Sequence, residues 1–245
     1  MLQTALQAAK EAGKIMMRHY GKVTPQYKDH SFGPGSVVTK ADLEIEEKIV
    51  SFLEKKFPDH NIFAEEKTKK DKKSNYTWSL DPIDGTSNFV RNIPLFGISL
   101  GLLYKKEPIL GVIFLPALKT LVHAEKGKGC FVNGKKVSVS KRALKEALYF
   151  GRIHNLASHE KLGKQIALCK IIQASSYELV QIAQGNAEIY ATESVLHDVA
   201  AGVILIREAG GQVTDYEGKP WDASSKTIVA TNGIIHKKVL SLLQH

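Results

Sequence analysis

The sequence predicts a layered protein of the α+β and α/β classes, with a mainly antiparallel N-terminal sheet and its helices joined to a C-terminal α/β half. Three observations carry that expectation. Short apolar runs separated by turn residues follow one another from Tyr76 to Glu125, helices with a periodic apolar face precede them, and beyond residue 142 short strands alternate with helices. The chain has 245 residues, 43% of them hydrophobic and 24% charged, which is ordinary for a globular protein. A chain of this length buries roughly three quarters of its unfolded surface, so no disulfide or metal staple is needed merely to hold it together.

Taken in order, residues 1–20 read as a helix. Lys10, Glu11 and Lys14 interrupt the apolar core that an export signal would need. A loop with Ser31, Phe32, Gly33, Pro34 and Gly35 leads to a second helix, announced by Thr39 with Asp42 three residues on. Ile45, Ile49, Phe52, Leu53 and Phe57 share one face of it, and Pro58 stops it. The apolar run 61–64 ends on Glu65-Glu66. Lys67, Lys69, Lys70, Lys72 and Lys73 then form a stretch without an aromatic among them, read as a solvated loop, with electrostatic steering of an anion or a weak nucleic-acid contact as the alternatives.

Strands are expected at 76–81, 98–104, 109–115 and 120–125, parted by Pro108, Pro116 and the glycines of 127–129, with a hairpin at Asn133-Gly134. In the second half, helices are expected at 141–147, after Ser158, at 176–184 and at 198–209. The strands there are 148–151, one near Ile171, 187–191 and 212–215, and a last strand and helix follow. The expected subdomains are 1–141 and 142–245.

Lys plus Arg number 34 against 25 Asp plus Glu, a net charge of +9. This favours anionic partners without choosing among phosphorylated metabolites, nucleic acid and lipid headgroups. Cys130 and Cys169 are the only cysteines, and their isolation points to a reducing, cytoplasmic setting. No run approaches the ~18 apolar residues of a membrane span.

The densest chemistry lies in Asp81-Pro82-Ile83-Asp84-Gly85-Thr86-Ser87. It sets two carboxylates at a strand end that bends through Pro and Gly, a costly pairing unless a cation sits between them. Glu65-Glu66 and Asp198, which opens an apolar helix, add further acids. An all-oxygen set suits a hard cation such as Mg²⁺ better than Zn²⁺. Each feature has a structural reading too: Asp-Pro and Asp-Gly are common turn pairs, Asp198 suits a helix cap, and Thr39 with Asp42 suits a capping box.

Jointly, however, DPIDGTSNF at 81–89 resembles the signature of the inositol monophosphatase family, Mg²⁺-dependent phosphatases of the fructose-1,6-bisphosphatase superfamily. Three more matches follow the family order: Val38-Thr39-Lys40-Ala41-Asp42, Ala64-Glu65-Glu66, and Asp198-Val199-Ala200-Ala201-Gly202 with Glu208-Ala209-Gly210-Gly211. The resemblance covers essentially the whole chain and implies an αβαβα sandwich of the sugar-phosphatase type.

The resemblance further implies that Glu65, Asp81 and the carbonyl of Ile83 hold one Mg²⁺ and that Asp81, Asp84 and Asp198 hold a second. Glu65 is also available to a third ion, and Mn²⁺ is a possible substitute. Thr86, linked to Asp42, would orient and help deprotonate the attacking water, with Glu65 completing the catalytic set. The amides of Gly85, Thr86 and Ser87 would receive phosphate, and Asp84, Ser175 and Glu193 complete the expected substrate contacts.

Departures bear on the substrate. His197 stands where the family has Trp, with packing expected over substrate contact. Ala191 stands where inositol-selective members present a Glu, and Ala174-Ser175-Ser176 replaces Gly-Ser or Gly-Thr. The stretch 151–174 is short, and Lys28 is the best match to the family's loop lysine. The expected function is a Mg²⁺-dependent phosphomonoesterase acting on a small phosphorylated metabolite, inositol 1-phosphate or fructose 1,6-bisphosphate, as a homodimer. Histidinol phosphate and 3′-phosphoadenosine 5′-phosphate are alternative substrates. A module that binds RNA or a transcription complex on the same fold is the reading from a different class.

Overall fold

Helix α1 (Leu2–His19) turns Ala5, Ala8, Ala9, Ala12, Ile15 and Met16 inward, a run of small residues at helical spacing that lets it lie close against its neighbours. The structure, a computed structural model, describes residues 1–27, 37–152 and 159–243. Lys28, the loop at 31–35 and Ser158 lie outside them. Strands β1 (Gln26–Tyr27) and β2 (Val37–Val38) pair antiparallel ahead of α2 (Lys40–Lys56). The start of α2 is the expected capping box: the Thr39 amide and hydroxyl donate to Asp42 at 2.8 and 2.6 Å, and the Ala41 amide donates to the Thr39 hydroxyl at 3.1 Å.

The large sheet is built from β3 (Asn61–Ala64), β4 (Lys69–Lys70), β5 (Tyr76–Asp84), β6 (Gly97–Tyr104), β7 (Glu107–Leu115), β8 (Thr120–Glu125), β9 (Gly129–Val132) and β10 (Lys135–Val137). Their order is β10-β9-β8-β7-β6-β5-β3-β4. Neighbours run antiparallel except β3 and β5, which are parallel and therefore end at the same margin of the sheet. The hairpin at Asn133-Gly134 has both residues at positive φ, 47° and 81°, as the two-residue turn requires. One face of the sheet packs Ile62, Trp78, Leu80, Leu100, Leu102 and Val112 against Ile45, Ile49 and Leu53 of α2 and the apolar face of α1.

After the short helix α3 (Thr86–Val90), the second half supplies β11 (Leu148–Phe150), α4 (Glu160–Gly163), β12 (Leu168–Lys170), α5 (Ser175–Ala183), β13 (Ile189–Glu193), α6 (Leu196–Glu208), β14 (Gln212–Thr214), β15 (Thr227–Thr231) and α7 (His236–Leu243). The smaller sheet has the order β12-β11-β13-β15-β14, parallel on the β11 side and antiparallel about β15. Helices α5 and α6 fill the space between the sheets, burying Leu179, Val180, Val203 and Ile206 against Ile113, Leu115 and Val122 on one side and Phe150, Tyr190 and Ile228 on the other. Residues of α4 and α7 cover the outer face. The described residues thus form the expected αβαβα sandwich.

Two glycines set how closely α6 approaches the large sheet. A β-carbon at Gly101 would lie 3.1 Å from the Ala200 β-carbon, and one at Gly111 would lie 2.5 Å from the Ala201 carbonyl oxygen. The helix backbone rests on strand backbone, and the Ser99 hydroxyl holds its start by donating to the His197 carbonyl at 3.2 Å. Asp198, in the first turn, is carried to the margin where β5 ends.

Two local expectations fail. Residues 141–147 form only a single turn of 3-10 helix, Leu144–Glu146. Side chains satisfy this segment instead: Ser140 and Arg142 donate to Glu188, and Asn232 donates to the Arg142 carbonyl. The lysine-rich stretch is not all loop, because Lys69–Lys70 pairs antiparallel with β3 as an edge strand and Lys70 reaches Glu54 at 2.7 Å. Charged residues are common at such edges because they deter further pairing. The proposed boundary at 141/142 falls between β10 and β11.

Candidate active site

Strand β5 ends in a bulge. Asp81 lies opposite Ser99 and Asp84 opposite Gly97, so three steps on β5 match two on β6. Pro82, without an amide to donate, sits in the irregular step. Gly85 then takes φ 82°, and a β-carbon there would stand 2.8 Å from the Leu95 carbonyl oxygen, so glycine is required at this turn. The turn delivers Thr86 to the start of α3.

Around this turn the expected residues meet. Asp81 is buried, and its Oδ1 makes no hydrogen bond. Burial, followed by the neighbouring charges of Glu65, Asp84 and Asp198, pushes its pKa well above the usual carboxylate range. Asp84 accepts the Ser175 and Ser176 amides at 3.1 and 2.7 Å, as well as the Ser176 hydroxyl. Its pKa is raised to about 7, by burial first and by Asp198 second, against the opposing pull of Ser176 and Arg152. The Asp198 carboxylate is 3.2 Å from Nε2 of His197. That imidazole, expected to pack as the family's Trp does, is 24% exposed and also stands against this carboxylate.

The Thr86 hydroxyl donates to the Ile83 carbonyl at 2.8 Å and stands 3.4 Å from Oδ1 of Asp42. Asp42 is fully buried, and its pKa is raised to about 6, chiefly by burial and with a contribution from Glu65, while the Thr39 hydrogen bonds oppose the shift. Ser87 is half-buried beside Thr86. Ser175 is committed inward: its hydroxyl lies 2.9 Å from both an Arg152 guanidinium nitrogen and the Tyr190 hydroxyl. Glu193 is exposed at the end of β13, and Ala191 is buried two residues before it.

Among the described residues, no three acidic, histidine or cysteine side chains form a closed ligand cluster. The site is instead a set of carboxylates coupled by charge. A divalent cation fits it on two grounds: the buried Asp81 Oδ1 has no hydrogen-bond partner, and the donors are oxygens held above their usual pKa by burial and mutual repulsion. A surface cavity of about 530 Å³ lined by Arg207, Trp221 and Asp222 includes none of these residues.

The sequence reading named Ser175 and Ser176 but missed the pair that braces them behind Asp84. Arg152, at the end of β11, binds Glu178 at 2.7 Å, with side chains only 11% and 0% exposed. The same guanidinium reaches Ser175 and Tyr190. The buried pair braces the first turn of α5, which in turn grips Asp84. The available signal was Glu178 among the apolar positions of an otherwise buried helix.

The raised carboxylates predict a pH dependence. Between the unfolded value of 3.8 and the folded values of about 6 for Asp42 and about 7 for Asp84, the native protein holds more protons than the unfolded chain. These two groups therefore lower metal-free stability as pH rises through that window. A divalent cation binds the ionised forms, so the gain in Tm on adding Mg²⁺ should grow between about pH 5.5 and 8. Differential scanning fluorimetry with and without Mg²⁺ measures this, and an increment independent of pH would contradict it.

The fold and the acidic margin define a phosphatase of the layered sugar-phosphatase class, and the comparisons give the family. The model described as the inositol monophosphatase family matches residues 1–245, and the chain belongs to that family. It is 34% identical to a Thermotoga maritima fructose-1,6-bisphosphatase/inositol-1-monophosphatase, over 99% of this chain and 95% of that protein. It is 31% identical to a Chlorobaculum parvum histidinol-phosphatase, over 99% and 96%. The structure of a Thermotoga maritima IMPase superposes with a TM-score of 0.90 at 33% identity, over 99% of this chain and 96% of that one. An IMPase/NADP phosphatase complexed with Mg²⁺ and phosphate superposes with a TM-score of 0.85 at 26% identity, over 96% and 91%.

Proposed function

We propose that the chain is a Mg²⁺-dependent phosphomonoesterase that hydrolyses a small sugar or polyol phosphate by direct attack of water. The observation that carries this reading is the convergence of Asp81, Asp84, Glu65 and Asp198, coupled through their charges, beside the linked pair Thr86 and Asp42. Glu65, Asp81, Asp84, Asp198 and the Ile83 carbonyl would hold two or three Mg²⁺ ions, or Mn²⁺ in their place. When bound, the ions neutralise these carboxylates and polarise both ester and water.

The protein's own groups do the rest. Asp42 is buried with a pKa of about 6, so at neutral pH it is ionised and can accept a proton passed through the Thr86 hydroxyl. Thr86 orients the water and relays its proton once its hydroxyl turns from the Ile83 carbonyl, where it donates at 2.8 Å, to Asp42 at 3.4 Å. The amides of Gly85, Thr86 and Ser87 follow the left-handed turn and receive phosphate oxygens, and Glu193 reaches the non-reacting part of the substrate. Ser175 acts from behind, through its amide on Asp84.

Inositol 1-phosphate and fructose 1,6-bisphosphate are the leading substrates, supported by the names of the relatives. Ala191 favours keeping histidinol phosphate and 3′-phosphoadenosine 5′-phosphate beside them. Pairing of Lys70 and Lys72 with Glu54 weakens the nucleic-acid reading. Among the described residues no helix is long and apolar enough to cross a membrane. Both cysteines are unbridged, which supports a cytoplasmic setting, and a homodimer is the proposed assembly. Phosphate release from these four substrates should depend on Mg²⁺ and stop on chelation. Absence of release from all four with Mg²⁺ present would overturn the proposal.

A further inference from the structure

Helix α2 carries two buried acids one turn apart, Asp42 and Glu46. The first serves Thr86; the second has no part in the scheme above. Its carboxylate is nevertheless saturated. One oxygen accepts the Glu66 amide at 2.8 Å, and the other accepts the Lys67 and Thr68 amides at 2.9 and 2.8 Å together with the Thr68 hydroxyl at 2.8 Å. Four donors from three consecutive residues converge on one side chain, an anion held in a nest of backbone amides.

Those three residues directly follow Glu65. The turn is closed on its other sides as well: the Ala64 amide donates to the Thr68 carbonyl at 2.8 Å, and the Glu65 amide donates to the Leu80 carbonyl of β5 at 3.1 Å. Burying a carboxylate to fasten a surface turn is costly, and a neutral side chain could not accept all four bonds. Asp42 and Glu46 therefore grip, from one rigid helix, the two turns that carry Thr86 and Glu65. One turn of helix is about 5.4 Å, and this pitch fixes the spacing between the two grips.

We propose that Glu46 is a positioning residue that sets Glu65 for cation binding. The inference rests on the reading in which Glu65 is a ligand. Partners of this kind, one step removed from a metal ligand, typically change metal affinity by 10- to 100-fold when lost.

Glu46→Gln tests it, because the new amide nitrogen meets the Glu66 N–H donor to donor. The half-saturating Mg²⁺ concentration for phosphate release should rise by about 10-fold, and Mn²⁺ binding followed by electron paramagnetic resonance should weaken by a similar factor. KM for the phosphate ester at saturating Mg²⁺ should stay within about 2-fold, because Glu46 touches the turn of the ligand and not the substrate. Thr68→Val, which removes one donor and leaves α2 untouched, should move Mn²⁺ affinity the same way by about 3-fold.

Glu188→Gln is the control for mere destabilisation. That buried carboxylate accepts bonds from Ser140, Arg142 and the Leu148 amide, and its loss should lower Tm with Mn²⁺ affinity unchanged. Wild-type Mn²⁺ affinity in both Glu46→Gln and Thr68→Val overturns the proposal, as does an equal loss in Glu188→Gln. A wild-type protein that binds no Mn²⁺ overturns the reading of Glu65 itself, and this inference with it.

Discussion

Asp84→Asn should lower Mg²⁺-dependent kcat by about 1000-fold or more while leaving both sheets folded. The substitution keeps the shape of the side chain and removes its charge. The charge is what a cation at this margin requires, and loss of one preorganised electrostatic partner costs roughly 10² to 10³ in rate even where the reacting centre is otherwise intact. The hydrogen bonding is disturbed as well. Asp84 accepts from the amides of Ser175 and Ser176 through different oxygens, so an Asn at 84 turns an NH₂ toward one of two N–H groups whichever way it flips. Two opposing effects govern metal-free stability: lost bonds to α5 lower it, and relief of repulsion with Asp198 raises it. Tm without metal should therefore move far less than activity. Wild-type phosphate release by Asp84→Asn would show that the roles are assigned wrongly.

Gly111→Val should destabilise the protein by about 3 kcal/mol, against the direction that strand propensity alone predicts. Valine is a better strand former than glycine, and the φ of Gly111 is not in the left-handed region. The cost is steric. The added β-carbon would meet the Ala201 carbonyl oxygen at 2.5 Å and the Ile204 γ-methyl at 2.7 Å. A helix backbone held between two sheets cannot yield as a flexible side chain would, so the overpacking falls at the upper end of its usual range. Lifting α6 also displaces Asp198, and Mn²⁺ affinity should fall together with the urea midpoint. A midpoint at or above that of the parent protein would refute the close-packing account.

The elements most legible in the sequence were those whose signal is local. The capping box of Thr39 and Asp42, the Asn133-Gly134 hairpin and the apolar face of α2 depend on residues a few positions apart, and each formed where expected. The αβαβα order came through the resemblance, since the parallel pairing of β3 with β5 depends on contacts that no short window contains. The helix expected at 141–147 failed because Glu188 and Asn232, distant in sequence, occupy the polar groups that a helix would have used.

The site divides in the same way. Asp81, Asp84, Glu65, Asp198 and Thr86 stood in recognisable motifs, whereas Arg152, Glu178 and Glu46 did not. Glu46 left one trace. It falls on the face defined by Ile45, Ile49 and Leu53, where a charged residue is out of place unless something buried receives it.

The end of α5 that holds Asp84 gives the site a thermodynamic signature of its own. Ala174, at the N-cap, has no side-chain acceptor to offer, and the first two amides of the helix are satisfied by a carboxylate from the end of β5. Local opening at this point cannot be a property of the helix alone. It requires β5 to release its terminal turn, so the beginning of α5 and the end of β5 form one cooperative unit spanning about ninety residues of sequence, and their amide protons should exchange with solvent together.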